Sequence, residues 1–167
     1  MENGKKGKIL KILIILTIVL IWGQSFLPPD MSSGESGFVL EKIVKPFLQF
    51  ITGREAEISE HLVRKLAHFT EFMVLGLLVS LFNIHNINVA CDGPQPLPII
   101  YYPLTKNCAL RIMHCALFCM FIAFIDESIQ MFTGRGPAIA DVWIDTGGAV
   151  TGIGIEWIIE KCTMRNA

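Results

Sequence analysis

The sequence predicts an all-α fold: a polytopic membrane helical bundle of four transmembrane helices plus one interfacial amphipathic helix, forming a single membrane domain over residues 1–167. Three observations predict it. The chain is 52% apolar and only 17% charged, where an average soluble domain carries about 25% charged residues. Too little charge is present to clothe a water-facing surface. The mean hydropathy of +0.53 excludes a disordered chain. Finally, four apolar runs approach or reach the roughly 17–25 helical residues that a bilayer crossing needs. The net charge of −1 offers nothing to nucleic acid, which is not expected as a partner.

The first span is expected at residues 9–27, ended by Pro28-Pro29, because proline cannot extend a helix and restricts the residue before it. Lys5, Lys6, Lys8 and Lys11 make its start basic. No small-residue cleavage pattern follows the long apolar run, so it reads as an anchor and Gln24-Ser25 as its exit, rather than as a cleaved signal. The basic start places the N-terminus in the cytoplasm, and four crossings return the C-terminus to the same side.

Phe38 to Ile51 reads as an amphipathic helix. Leu40, Ile43, Val44, Phe47, Leu48 and Ile51 follow the 3.6-residue period against Glu41, Lys42, Lys45 and Gln49. It would lie flat at the outer interface or pack against the bundle. The second span is expected at residues 66–84, with the polar stretch from Glu55 to Lys65 extending its helix outward. Asn83 to Asn107, rich in proline, reads as a cytoplasmic loop. The third span is expected at 108–132 and the fourth at 139–159. Cysteines 91, 108, 115, 119 and 162 lack any Cys-x-x-Cys spacing, and Cys115 and Cys119 inside the third span read as apolar packing.

The informative residues are ionisable groups at membrane depth. Each costs roughly 2.5–3.5 kcal/mol at a helix centre on insertion scales, and such groups usually face the bundle interior and mark function. Three groups occur. The second span opens with Arg64, Lys65, His68 and Glu71, with Arg64, His68 and Glu71 on one side at i, i+4, i+7. The third closes with Asp126, Glu127 and Gln130, followed by Arg135 on a glycine-rich turn. The fourth opens with Asp141 and Asp145, which share one stripe with Gly148 and Gly152. Gly148 and Gly152 form a small-xxx-small pair that permits close helix approach, so that stripe points at a neighbouring helix.

An up-and-down path through four spans brings all three groups to one leaflet, whichever way the bundle faces. Glu71, Asp126, Glu127, Asp141 and Asp145 would repel one another there. Some must be paired, protonated or bound to a cation. Polar residues at one leaflet only argue against a transport pathway. Lone His68 disfavours zinc. A divalent cation, if one is held, would sit among Asp126, Glu127 and Asp141.

These motifs resemble the VanZ-like family of small bacterial membrane proteins. The matching pieces are Lys65-x-x-His68-Phe-x-Glu71-Phe, Asp126-Glu127-x-x-Gln130-x-x-x-x-Arg135 and Asp141-x-x-x-Asp145-Thr-x-Gly148, in that order over roughly residues 9 to 160. The last motif is commonly Asp-x-x-x-Asn in that family, so Asp145 departs from it and adds negative charge. The resemblance implies a bacterial plasma-membrane protein connected with teicoplanin-type lipoglycopeptide resistance or the cell envelope. It carries no catalytic assignment.

Four readings of the cluster follow. The preferred one is recognition of a polar headgroup: a membrane lipid, a cell-wall precursor or a lipoglycopeptide. Arg135 would meet an anionic group, the carboxylates would take amines or sugar hydroxyls, and the 38–51 segment would cover the entrance. The second is a structural ion-pair network tying three helices. The third, less favoured, is a metal-assisted hydrolase or transferase with Glu71 or Asp126 as general base. The last is ion or proton transport. A homo-oligomer is compatible with all of them, since Gly147 to Gly154 would serve within or between subunits.

Overall fold

The computed structural model describes residues 2–26, 60–91, 107–133 and 139–165. Four helices fill them, with no strand among the described residues: α1 (Glu2–Ser25), α2 (Glu60–Cys91), α3 (Cys108–Phe132) and α4 (Ile139–Arg165). The 38–51 segment, Pro28-Pro29 and Arg135 lie outside the described residues.

Sequence chemistry accounts for the helix limits where they are sharpest. Asn107 caps α3, its side-chain oxygen accepting from the backbone N–H of Ala109 (3.1 Å) and Leu110 (3.4 Å). Thr133 closes the same helix with its N–H on the Ile129 carbonyl at 3.2 Å. Hydroxyls that would otherwise lack partners in an apolar medium bond back to the preceding turn. Thr17, Ser128, Thr146, Thr151 and Thr163 each donate to the carbonyl four residues earlier.

Two expected boundaries move. Beyond Ile84 the polar run Asn83, His85, Asn86, Asn88 was read as loop, yet α2 continues to Cys91. Asn83 and Ile87 are buried against the bundle, and this tertiary contact overrides the weak helix propensity of asparagine. α1 starts at Glu2 and ends at Ser25, with Phe26 in a turn. Its start overruns the expected Ile9 because lysines are good helix formers.

Among the described residues, three stretches are long and apolar enough to cross a membrane: Gly4–Ser25, Arg64–Val89 and Cys108–Phe132. α4 is not among them, since Asp141, Asp145, Glu156 and Glu160 and its glycines dilute its hydropathy. Its surroundings carry the opposite message from its composition. Asp145 and Glu156 face inward, at 2% and 4% exposure, while Trp143, Ile158 and Ile159 are more than half exposed. The same inversion holds for α3, where Asp126 is fully buried and Phe121 and Phe124 face out. A surface of aliphatic and aromatic side chains around a polar interior suits lipid rather than water.

The most extensive contact joins α2 to α4, which run parallel. Its basis is small residues. A Cβ on Gly148 would overlap the Phe69 carbonyl, one on Gly152 the Met73 carbonyl, and one on Gly76 the Ala149 carbonyl. The two backbones therefore touch, as small residues allow in membranes. α3 packs on α4 and α2, and α1 on α2 and α3. Between them lies a core of Ile21, Phe72, Leu75, Val79, Cys115, Cys119, Ile122, Ala123, Ala149 and Ile153. Cys115 and Cys119 are free thiols within it, packing as small hydrophobes.

Candidate functional site

α1 and α3 finish, and α2 and α4 begin, at one end of the bundle, here the Ser25 end. Antiparallel neighbours give this convergence, and it gathers side chains from all four helices.

On α2, Lys65 and His68 point toward α4 and α3. Lys65 Nζ lies 2.5 Å from Asp141 Oδ1, both side chains about one-quarter exposed. Glu71 accepts a hydrogen bond from Gln24 Nε2 at 2.8 Å. Its other oxygen, Oε2, faces His68 Nδ1 at 3.7 Å, which is an ion-pair distance if the imidazole is protonated and too long for a hydrogen bond. From α3, Asp126 accepts from Ser25 Oγ at 2.7 Å and from Gln130 Nε2 at 2.8 Å. Thr133 ties the same corner together by donating to the Ser25 carbonyl at 3.2 Å. Glu127 is buried beside Asp126.

From α4, Asp145 enters the same space. Ligand atoms of His68, Asp126 and Asp145 all lie within 4.8 Å of one another. Asp145 is 2% exposed, and its carboxylate has no hydrogen-bond partner among the described residues. Two carboxylates at that separation in a poorly solvated place are paired, share a proton or meet a countercharge.

Of the expected cluster, Lys65, His68, Glu71, Asp126, Gln130, Asp141 and Asp145 thus come to one end with stated contacts. Glu127 is buried there, and Arg135 falls outside the described residues. Gly148 and Gly152 sit one and two turns further along α4, against α2. The arrangement regroups the acids. Asp141, expected beside Asp126 and Glu127, is engaged by Lys65, and Asp145 with His68 takes the place near Asp126.

Gln24 and Ser25 escaped the sequence reading, which took them for a span exit. Their signal was available: two adjacent hydrogen-bonding side chains at the end of an otherwise apolar run.

The reading that polar residues occupy one end only is overturned. At the opposite, Glu160 end, Arg111 reaches Glu160 with both terminal nitrogens, at 2.5 and 3.3 Å. Ser80 donates to Glu156 at 2.8 Å, and Asn83 donates to the Cys115 sulfur at 3.5 Å. Ser80, Asn83 and Glu156 are all buried. The Asp141, Asp145, Gly148, Gly152 stripe, continued by one turn, reaches Glu156. Stopping that stripe at Gly152 hid the second cluster. Beside it a cavity of about 230 Å³ opens between α1, α2 and α3, lined by Lys11, Asn83, Asn86, His114 and apolar side chains.

A family model described as VanZ/LLP1 matches residues 10–160 of the chain. That range takes in every helix core and both polar clusters. No curated protein and no solved structure matches the chain.

Proposed function

The chain belongs to the VanZ/LLP1 family, and from that premise we propose that its Ser25 end recognises the polar headgroup of an envelope molecule, a cell-wall precursor or a teicoplanin-type lipoglycopeptide. The observation that carries this reading is the pairing of Asp126 and Asp145. Two carboxylates, 0% and 2% exposed, are drawn together from different helices. A bundle that needed only to hold its helices together would use small residues. Ionisable groups gathered at membrane depth usually mark function.

In this reading α4 is the fourth crossing of a multi-pass protein of the bacterial plasma membrane, with both termini cytoplasmic. Trp143 and Trp157 sit near its two ends, the second with Lys161 over its ring at 4.1 Å, in the manner of interfacial anchors. The 38–51 segment covers the entrance, and Arg135 meets an anionic group of the ligand. The carboxylates take amines or sugar hydroxyls.

A specific observation favours a second reading for part of the cluster. Lys65 with Asp141, and Ser25 with Asp126 and Gln130, are satisfied contacts between helices, so these residues also tie the bundle.

The test is tolerance. Expression of the chain in a teicoplanin-sensitive bacterium raises tolerance to the antibiotic, and Asp126→Asn and Asp145→Asn remove the gain while membrane abundance and melting temperature stay at the parental level. Variants that remain in the membrane and confer full tolerance overturn the headgroup reading.

A further inference from the structure

We propose that His68, Asp126 and Asp145 form a site for one divalent transition-metal cation at the Ser25 end. The first observation is geometric: one nitrogen and two carboxylate oxygens, from α2, α3 and α4, have ligand atoms mutually within 4.8 Å. Small rotations of the side chains would bring all three onto one cation, whose bonds to such ligands are roughly 2.0–2.2 Å.

The second observation is the state of Asp145. Its residue is 98% buried by complement of its 2% exposure, and its carboxylate is aimed into this space with no hydrogen bond from any described residue. A carboxylate removed from water and left without a donor is costly unless a positive group meets it. Lys65 is committed to Asp141, and the charges that bear most on Asp145 are other carboxylates, Asp126, Glu127, Asp141 and Glu71.

The surroundings have the form of a supported ligand set. Both oxygens of Asp126 accept hydrogen bonds, from Ser25 and Gln130, which fix the carboxylate plane. Glu71 Oε2 lies 3.7 Å from His68 Nδ1 and is itself held by Gln24. A carboxylate so placed would orient a metal-binding histidine once the 3.7 Å gap closes to a hydrogen bond. A mixed nitrogen and oxygen set selects Mn²⁺, Zn²⁺ or their first-row neighbours over the oxygen-only sites preferred by Ca²⁺ and Mg²⁺.

The site stands apart from the headgroup reading, because a cation held here would be bound whether or not the cluster also meets an envelope molecule. Direct binding tests the one, and antibiotic tolerance the other.

The experiment uses the purified full chain, stripped with a chelator and titrated separately with Mn²⁺ and Zn²⁺. One equivalent of Mn²⁺ binds saturably, and its electron spin echo carries modulation from a directly bound nitrogen. Asp145→Asn weakens Mn²⁺ and Zn²⁺ binding by more than about a hundredfold, beyond the roughly 10–100-fold that losing an outer support costs. His68→Gln abolishes the nitrogen modulation. The exposed Lys161→Gln changes neither. Absence of saturable binding of both metals overturns the proposal, as does binding that survives Asp145→Asn undiminished. In the first case the two carboxylates share a proton instead. Should Asp145→Asn fail to fold, the nitrogen modulation and its loss in His68→Gln decide alone.

Discussion

The two ends of this bundle bury similar polar groups and balance them differently. At the Glu160 end each acid has a named donor: Glu160 takes Arg111 through two nitrogens, and Glu156 takes Ser80. Among the described residues at the Ser25 end, the acids Glu71, Asp126, Glu127, Asp141 and Asp145 outnumber Arg64 and Lys65. Asp126 accepts from the neutral Ser25 and Gln130, and Asp145 accepts from no described residue. The contrast teaches that burial of charge does not by itself distinguish structure from function. A neutralised pair explains itself by the helices it joins. An acid without a donor among the described residues does not explain itself that way, and both proposals above turn on it.

Perturbing what lies between the ends gives the largest effect. Gly152→Leu drives a side chain into the Met73 backbone and separates α2 from α4. It breaks Lys65–Asp141 and Ser80–Glu156 together, and lowers stability by about 3 kcal/mol or more. Loss of a monodisperse folded peak on size exclusion reads the outcome. Next is Arg111→Ala, which strands Glu160 and costs about 2 kcal/mol, less than a fully buried pair because Glu160 is one-quarter exposed. Adding Glu160→Ala recovers part of that loss in reversible unfolding, which a purely steric role for Arg111 would not allow. Lys65→Ala costs about 1 kcal/mol, since Asp141 at 24% exposure can turn to water. Smallest is Asp145→Asn, which keeps the shape and removes the unmatched charge. Its stability stays within about 0.5 kcal/mol of the parent or rises. A loss as large as that of Arg111→Ala would show Asp145 to be structural and would erase the difference between the ends.

Much of the fold was legible because apolar runs and helix caps are local. Residues 108–132 were read to the residue, Asn107 supplying a cap that sequence alone displays. The end of α2 was not, because Asn83 and Ile87 are helical for what they touch rather than for what they are. The convergence of Lys65, Glu71, Asp126 and Asp145 followed from counting spans, which fixes the leaflet of every residue near a helix end. Which acid meets which base did not follow. Lys65 choosing Asp141, and leaving Asp145 to His68 and Asp126, depends on the rotation of α4 about its axis, and that is set by Gly148 and Gly152 against α2. Periodicity places those glycines on one face without saying whose backbone they meet. Ser25 and Glu156 were missed for a simpler reason: Ser25 lies within the last residues of the expected first span, and the Asp141–Gly152 stripe was followed no further than Gly152, one turn short of Glu156.

The parallel seating of α2 on α4 sets an order of assembly. The tightest contact in the molecule joins the second helix to the last, with α3 between them in the chain. A nascent chain that has released three helices still lacks the partner for Gly76 and for the Phe69 and Met73 backbones, and Lys65 and Ser80 have no acid to meet. Completion waits on residues 139–165. A chain cut short before them would offer the membrane a helix with an open, small-residue groove and loose polar groups, the kind of surface that membrane quality control removes. α4 therefore completes both polar ends, bringing Asp141 and Asp145 to one and Glu156 and Glu160 to the other.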